Sequence, residues 1–154
     1  MGNLKLTSSA FSDGGEIPRE YGYKNGNAKP PLAVSGIPEE GNIHLVLIMD
    51  DPDAMGAVGK VWLHWLVWGI VPNMEDHMDS FPANEYIEGV TDFGKAGYGG
   101  PAPPDKRHTY VFKVYALDSG LLDLDDKVTT KADVEKAMEG HIIEQATLTG
   151  TYAP

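Results

Sequence analysis

Two apolar runs constrain the fold of this chain more than any other feature of its sequence. Residues 44–49 (HLVLIM) and 61–70 (VWLHWLVWGI) carry apolar side chains at both odd and even positions. A strand with this pattern is covered on both faces of its sheet. Neither run approaches the roughly 18 apolar residues that a membrane span requires, so no membrane span is expected. The two runs predict interior strands.

Glycine and proline divide the rest of the chain into short segments, which is typical of an all-β domain. The 18 glycines and 11 prolines are spread throughout the sequence. Residues 109–117 are β-branched and aromatic and predict a further long strand. Shorter strands are expected over residues 4–7, 32–35, 86–90 and 147–152.

One helical region is expected near the C-terminus. Thr130 and Asp133 have the spacing of a helix-capping box, and residues 141–146 are expected to add a turn or two beyond Gly140. The sequence therefore predicts a mainly β fold, an antiparallel two-sheet β-sandwich with one or two short helices near the C-terminus. No break in composition divides residues 1–154, so a single domain is expected.

Charge and cysteine content narrow the possible functions. The chain has 12 Lys and Arg against 23 Asp and Glu, a net charge of −11, which repels nucleic acid, so no nucleic-acid partner is expected. With no cysteine, disulfides, Cys-based zinc sites and thiol catalysis are excluded. The first residues do not resemble a signal peptide, and the predicted location is the cytoplasm.

An acidic cluster follows the first apolar run. Asp50, Asp51 and Asp53 surround Pro52. Carboxylates beside a buried strand must leave the core or find partners. A solvated turn, with Asp side chains bonding nearby amides, is the simpler interpretation. A functional site at the strand end is the alternative.

His64 is a polar residue inside the second apolar run. Alternation with a period of two places it on the same face as Trp62 and Leu66. A hydrogen-bonded core histidine is the simpler interpretation. The functional interpretation is an imidazole that opens into a pocket with Trp62 as its wall.

A Gly- and Pro-rich loop, residues 97–104, precedes His108 and Tyr110, which are two positions apart in the sequence. Glycines let a backbone pass close to a ligand, and successive amides can form an anion-binding nest. The loop matches no Walker or dinucleotide-binding pattern. An ordinary rigid connection is therefore the alternative.

Taken together, these clusters resemble the phosphatidylethanolamine-binding protein family, and its short prokaryotic branch most closely. The resemblance runs nearly end to end. It rests on Asp51-Pro52-Asp53-Ala54, on Trp62-x-His64-Trp65-Leu66-Val67, on the Gly-x-Gly-Gly-Pro loop, on His108-x-Tyr110, and on the flanking segments Ser8-x-x-Phe11, Ala137-Met138-Glu139-Gly140-His141 and Gly150-Thr151-Tyr152.

The resemblance implies an antiparallel β-sandwich with an anion pocket near one end. Family members bind phosphate-bearing head groups and similar small anions, and several act as inhibitors or scaffolds for kinases or proteases. Met55 and Thr109 depart from the family pattern, in which a proline and an arginine are common. The resemblance implies these ligand-binding residues: Asp51, Asp53, Trp62, His64, Gly99, Gly100, Pro101, His108 and Tyr110.

We therefore expect a protein that binds a phosphate-like anion or a phosphoethanolamine head group without chemistry, and without a cofactor or metal. In this hypothesis His64 and His108 donate N–H groups to phosphate oxygens. The loop amides around residues 99–101 and the Tyr110 hydroxyl are further donors. Asp51 orients one of the histidines. Asp51 or Asp53 is also a candidate partner for the ethanolamine ammonium.

Other functions stay open at this point. His64, His108 and Asp51 have the residue types of a two-histidine, one-carboxylate metal site, which a metal-dependent enzyme would use. A protein-interaction module, with a kinase or a protease as partner, is a further alternative. A homodimer is compatible with the sequence.

Overall fold

The computed structural model describes residues 3–38, 41–72, 78, 81–82, 86–118, 124 and 129–154. It confirms the predicted mainly β fold. The strands are β1 Lys5–Thr7, β2 Gly15–Glu16, β3 Ala33–Ser35, β4 His44–Asp51, β5 Trp62–Ile70, β6 Ile87–Glu88, β7 His108–Leu117 and β8 Ile142–Tyr152. The helices are a 3-10 turn Arg19–Tyr21, α1 Ala54–Val58 and α2 Lys131–Met138.

The strands form two sheets. The larger sheet has six strands in the order β2-β8-β7-β4-β5-β6, and β1 pairs with β3 in a small second sheet. Among the described residues, neighbouring strands pair antiparallel except β2 and β8, which run parallel. The two apolar runs became β4 and β5, which are interior strands as predicted.

The core lies on both faces of the large sheet. On one face Leu47 and Met49 of β4 pack with Val34 of the small sheet. On the other face Ile48 packs with Val134 of α2. Complete burial of such side chains contributes roughly 1.5–3 kcal/mol each. The doubly apolar pattern of β4 is therefore explained by a sheet on one side and a helix on the other.

Helix α2 begins at the predicted capping box. The Thr130 hydroxyl accepts from the Asp133 amide at 3.2 Å, and the Asp133 carboxylate accepts from the Thr130 amide at 2.9 Å. The predicted helical continuation over residues 141–146 is wrong. Strand β8 begins at Ile142, because pairing with Leu117 extends the ladder along the whole of β7.

Helix α1 was not expected from the sequence, since helices were predicted only near the C-terminus. It is five residues long and follows the acidic cluster directly after β4. In the part of the chain that the structure describes, no helix has the length and hydropathy of a membrane-spanning segment.

Candidate functional site

Three strands bring the predicted site residues to one end of the large sheet. Asp51 ends β4, Trp62 and His64 lie at the start of β5, and His108 begins β7. Because β4 runs antiparallel to both neighbours, its C-terminal end meets their N-terminal ends. Asp51 lies directly opposite Trp62 in the ladder.

A β-bulge turns His64 toward this site. Met49 pairs with Trp65, but the next residue, Asp50, pairs with Leu63, so His64 is one extra residue in β5. The prediction that His64 shares a face with Leu66 is therefore wrong, because the bulge breaks the alternation. The His64 ring instead contacts Tyr110 edge-on at a centroid distance of 5.1 Å.

A second irregularity follows in the same strand. Leu45 pairs with Ile70 and Leu47 with Val67, so β5 again contains one extra residue. Gly69 has a positive φ of 67°, a conformation that glycine adopts without steric cost. The two bulges explain why a strict period of two fails along this strand.

His108 is held between two carboxylates. Its Nδ1 lies 2.6 Å from Asp51 Oδ2, and its Nε2 lies 2.7 Å from Asp105 Oδ1. A carboxylate only accepts hydrogen bonds, so both ring nitrogens act as donors and the ring is an imidazolium. Burial opposes that charge, but the hydrogen bonds and charges of Asp51 and Asp105 outweigh it and raise the pKa of His108. The hydrogen bond from His108 Nε2 lowers the pKa of Asp105.

This arrangement corrects one predicted role. His108 was expected to donate an N–H to a phosphate oxygen, but both of its N–H groups are already bound to carboxylates. The prediction that Asp51 orients a histidine agrees with the 2.6 Å contact. Asp105, which was not predicted as a site residue, completes the pairing because it lies three residues before His108, in the loop that leads into β7.

His64 has a different environment. Its Nδ1 lies 2.7 Å from the Gly99 carbonyl oxygen, which can only accept, so Nδ1 carries the proton. Burial lowers the pKa of His64, and the Gly99 and Gly100 carbonyls and the charges of Asp51 and Asp50 oppose that shift without reversing it. The ring is therefore neutral near pH 7, with Nε2 as a hydrogen-bond acceptor.

The Gly- and Pro-rich loop does not form the expected anion nest. The Gly99 amide donates to the His64 carbonyl at 2.8 Å. The Gly100 amide donates to Asn27 Oδ1 at 2.7 Å, and Pro101 has no N–H. A side chain at position 100 would collide with the Tyr21 carbonyl, which explains the glycine there. The loop amides therefore hold the loop against its neighbours rather than facing a ligand.

A cavity of about 210 Å³ opens beside these residues. Asp51, Trp62 and His64 line it, whereas Asp53 does not, and the Asp53 carboxylate instead accepts from the Thr109 amide at 2.8 Å. The apolar residues of the cavity wall were not predicted as site residues. One of them is Phe93, whose ring contacts the Trp62 and His64 rings edge-on. The apolar residues of the wall are Ala54, Ala57, Val58, Phe93, Ala102 and Pro104.

The predicted loop residues Gly99, Gly100 and Pro101 do not line this cavity. Gly99 lines a neighbouring cavity of about 430 Å³ on the far side of Phe93. Phe93 stacks on Tyr23 at a centroid distance of 4.1 Å and separates the two cavities.

Several buried polar atoms at this site have no hydrogen-bond partner among the described residues. They are Asp51 Oδ1, Trp62 Nε1 and the Tyr110 hydroxyl. Burial, and after it the charge of Asp51, raises the pKa of Tyr110 and keeps its hydroxyl protonated. The Tyr110 hydroxyl also interacts with the Asp51 carboxylate and the Ala102 backbone. An unpartnered buried polar group costs roughly 1–3 kcal/mol, so the Trp62 N–H is the clearest candidate here for a hydrogen bond to a ligand.

The predicted metal-site alternative has little geometric support. Both nitrogens of His108 are bound to carboxylates, which leaves no lone pair for a metal. Within residues 3–38, 41–72, 86–118 and the other described positions, no group of three His, Asp or Glu side chains has the arrangement of a metal site.

Comparison with known proteins agrees with the family resemblance. The family model described as phosphatidylethanolamine-binding protein matches residues 7–153. The chain belongs to the phosphatidylethanolamine-binding protein family. Curated relatives from Methanothermobacter thermautotrophicus and Chlamydia trachomatis, both described as UPF0098 proteins, are each 40% identical over 97% of this chain and 98% of their own length.

Solved structures of family members have the same fold. The putative phosphatidylethanolamine-binding protein homologue CT736 from Chlamydia trachomatis superposes with a TM-score of 0.84 at 38% identity, covering 99% of this chain and 98% of its own. YbcL from E. coli, described as a member of the mammalian family, superposes with a TM-score of 0.82 at 30% identity, covering 98% of each chain. The predicted cytoplasmic location, homodimer, and kinase or protease partners stay predictions.

Proposed function

We propose that this protein binds a small phosphate-bearing group in the 210 Å³ cavity at the end of the large sheet. The observation that carries the proposal is the buried Trp62 Nε1–H, which has no partner among the described residues, together with the Asp51 carboxylate and the neutral His64 ring in a cavity lined mainly by apolar residues. Apolar walls with a few placed polar groups are typical of small-ligand sites.

The size of the cavity limits what enters it. A water molecule occupies about 30 Å³ in the liquid, so 210 Å³ holds a head group or a free phosphate ester rather than a whole lipid. Phosphoethanolamine suits the polar groups, because its phosphate can accept from Trp62 and its ammonium can donate to the Asp51 carboxylate. Any part of a larger ligand beyond the phosphoethanolamine group would extend along α1, where Met55 and Val58 are exposed.

Binding without chemical conversion is part of the proposal. His108, the charged histidine, has both nitrogens bound, and it has no free position from which to remove or donate a proton. We therefore expect phosphoethanolamine to remain unchanged after prolonged incubation with the protein, as followed by ³¹P NMR. Release of inorganic phosphate would show that the protein is an enzyme instead.

The direct test is calorimetric titration of phosphoethanolamine into the wild type and Ala57→Phe. Ala57 lines the cavity at a half-buried position, so a phenyl ring there fills the cavity with little effect on the core. The matched control is Ala132→Phe, at an exposed position of α2 on the other face of the sheet. We expect saturable binding by the wild type and the control and none by Ala57→Phe. No binding by the folded wild type would overturn the proposal.

A further inference from the structure

The loop that contacts His64 contains two peptide planes that meet at Gly99. The first plane joins Tyr98 to Gly99, and its N–H donates to the His64 carbonyl at 2.8 Å. The second plane joins Gly99 to Gly100, and its carbonyl accepts from His64 Nδ1 at 2.7 Å. His64 therefore contacts both planes, one through its backbone and the other through its ring.

The opposite edge of both planes is held by one side chain, that of Asn27. Its Nδ2 donates to the Tyr98 carbonyl at 3.1 Å, and its Oδ1 accepts from the Gly100 amide at 2.7 Å. In a trans peptide the N–H and C=O groups point in opposite directions. Each plane is thus bonded to Asn27 at one edge and to His64 at the other.

The direction of the second plane decides where the proton of the neutral His64 ring lies. The plane presents its carbonyl to Nδ1, so Nδ1 carries the proton and Nε2 is an acceptor. A reversed plane would present its N–H to Nδ1, and the ring proton would then have to lie on Nε2. Glycine on both sides offers little steric resistance to this rotation. The direction of the plane therefore depends on its hydrogen bonds.

The other hydrogen bonds of the loop hold its ends rather than this plane. The Tyr98 hydroxyl donates to the Tyr21 carbonyl at 2.8 Å, and the Tyr23 amide donates to the Pro101 carbonyl at 2.9 Å. These bonds lie on either side of the second plane and do not involve its N–H or its carbonyl. They keep the loop in place when Asn27 is changed, and they leave the direction of the plane to Asn27.

The backbone at position 27 also suits asparagine. Asn27 has a φ of 51°, in the left-handed region that asparagine adopts more readily than most residues. Its amide donates to the Gly22 carbonyl at 2.9 Å, which fixes the residue in its turn. Glycine adopts the same φ without steric cost. The variant Asn27→Gly therefore removes the side chain without straining the backbone.

We propose that Asn27 is a positioning residue for His64, which holds the two peptide planes at Gly99 and so fixes the ring proton on Nδ1 and keeps Nε2 as an acceptor. The consequence for binding rests on the proposed function. In that complex the ligand ammonium donates to Asp51, and a second of its three N–H groups donates to His64 Nε2. Asn27 thereby favours phosphoethanolamine over a phosphate ligand without a donor.

The first measurement is the position of the proton on the His64 ring, which a merely structural role of Asn27 would not change. Long-range ¹H–¹⁵N correlation spectra at pH 8 distinguish a protonated ring nitrogen from an unprotonated one. We expect the proton on Nδ1 in the wild type and a substantial population with the proton on Nε2 in Asn27→Gly. Asn27→Asp keeps an acceptor for the Gly100 amide, so we expect it to restore the proton to Nδ1.

The matched control is Asn25→Ala, which removes a side-chain hydrogen bond from the same turn without touching the planes at Gly99. Asn25 Nδ2 donates to the Tyr152 hydroxyl at 2.7 Å. We expect this variant to keep the His64 proton on Nδ1. A thermal melt checks that each variant is folded. Asn27→Ser, whose side chain ends short of both peptide planes, replaces Asn27→Gly if the glycine variant does not fold.

Calorimetric titration at pH 8 measures the consequence for the ligand. Phosphoethanolamine and methyl phosphate both carry a doubly charged phosphate at that pH, since the second pKa of a phosphomonoester is about 6. Only phosphoethanolamine brings an ammonium group. We expect the ratio of its affinity to that of methyl phosphate to fall by about tenfold in Asn27→Gly, which matches the loss of one hydrogen bond to a charged group. Asn25→Ala should keep the wild-type ratio.

The outcomes separate this inference from the proposed function. A ring proton that stays on Nδ1 in folded Asn27→Gly, or that moves equally in Asn25→Ala, would overturn the inference and leave phosphoethanolamine binding intact. A proton that moves without any change in the affinity ratio would overturn the predicted ligand preference. Absence of phosphoethanolamine binding by the wild type would overturn the proposed function, while a proton shift in Asn27→Gly would still support the positioning role of Asn27.

Discussion

His64 and His108 lie on either side of β4 and are both almost completely buried, at 2% and 1% exposure. Their rings face the same tyrosine, Tyr110, at centroid distances of 5.1 and 6.4 Å. Their partners differ. One nitrogen of His64 donates to the carbonyl of Gly99, whereas both nitrogens of His108 donate to carboxylates.

The two histidines therefore differ in charge state, and their hydrogen-bond partners contribute to the difference. Burial lowers the pKa of His64, and the carbonyl partners do not compensate for it. At His108 the hydrogen bonds and charges of Asp51 and Asp105 exceed the effect of burial and raise the pKa. One histidine serves as a neutral acceptor beside the cavity, and the other as a buried cation that balances Asp51.

The two histidines also contribute oppositely to the pH dependence of stability. The contribution of His108 to the free energy of unfolding is fully present below its unfolded-state pKa of about 6.5. It is lost as pH rises through the raised folded-state pKa of His108. For His64, whose folded-state pKa is lowered, stability is fully present above about pH 6.5 and is lost as pH falls below it.

The largest expected effect is that of removing the buried cation. We expect His108→Leu to lower the free energy of unfolding by about 3–5 kcal/mol, because it leaves the buried Asp51 carboxylate without its partner. Urea unfolding at pH 7 measures this loss. Asp51 is only 3% exposed, so water cannot replace the lost partner.

The double variant Asp51→Leu, His108→Leu is the control for that prediction. It removes both charges, so it should recover a substantial part of the loss, since an apolar pair often replaces a buried ion pair at little cost. If the double variant is as unstable as the sum of Asp51→Leu and His108→Leu, the two residues act independently and the comparison between the histidines fails.

A smaller effect is expected at His64. The variant His64→Phe keeps the ring contacts with Phe93 and Tyr110 but loses the N–H that bonds to the Gly99 carbonyl. We expect a loss of about 1–3 kcal/mol in the free energy of unfolding, which is the cost of an unpaired buried carbonyl. Urea unfolding measures it. A loss as large as that of His108→Leu would indicate that His64 is charged.

Asp105→Asn tests the charge of His108 with a smaller change in stability, since Asp105 is partly exposed. The variant weakens one of the interactions that raise the pKa of His108, so that pKa should fall while the pKa of His64 stays the same. The pH-dependent loss of stability should accordingly begin at a lower pH. NMR titration of the imidazole signals and thermal melts from pH 5 to 9 measure both effects. An unchanged His108 titration would show that Asp51 alone holds its proton.

Most of the fold could be predicted from the sequence because it follows local patterns. The doubly apolar runs predicted β4 and β5, and the capping residues Thr130 and Asp133 predicted the start of α2. The extension of β8 to Ile142 could not be predicted in this way. It depends on pairing with β7, and the first residues of β8 are exposed, so they carry no apolar alternation.

The sequence predicted that several of the candidate residues lie together, but it did not predict their hydrogen bonds. The positions of Asp51, Trp62 and His64 beside one cavity agree with the prediction. The partner of the Gly100 amide is Asn27, 73 residues away in the chain, and no local pattern indicates such a contact. Asp105 was the one missed partner with a local signal, because its spacing of three residues from His108 is visible in the sequence.

The smallest change in stability is expected for Trp62→Phe, with Trp65→Phe as its control. This pair of variants separates an effect on binding from an effect on stability. Both residues are tryptophans of β5, but the Nε1–H of Trp62 has no partner among the described residues, whereas that of Trp65 donates to Glu88 at 2.9 Å. Trp62→Phe removes a donor that the free protein leaves unpaired, so the free energy of unfolding should change by less than about 1 kcal/mol.

The affinity of Trp62→Phe for phosphoethanolamine should nevertheless fall at least tenfold, since a hydrogen bond to a charged group is worth about 1.5–3 kcal/mol. Trp65→Phe should behave in the opposite way. It removes the nearer of two donors to Glu88 Oε2 and leaves Lys29 Nζ at 3.4 Å, so stability falls by about 1–2 kcal/mol, while the affinity stays the same. Calorimetry and urea unfolding on both variants measure this crossed pattern. Equal loss of affinity in the two variants would mean that Trp62 acts through packing of β5, and that its unpartnered N–H does not reach the ligand.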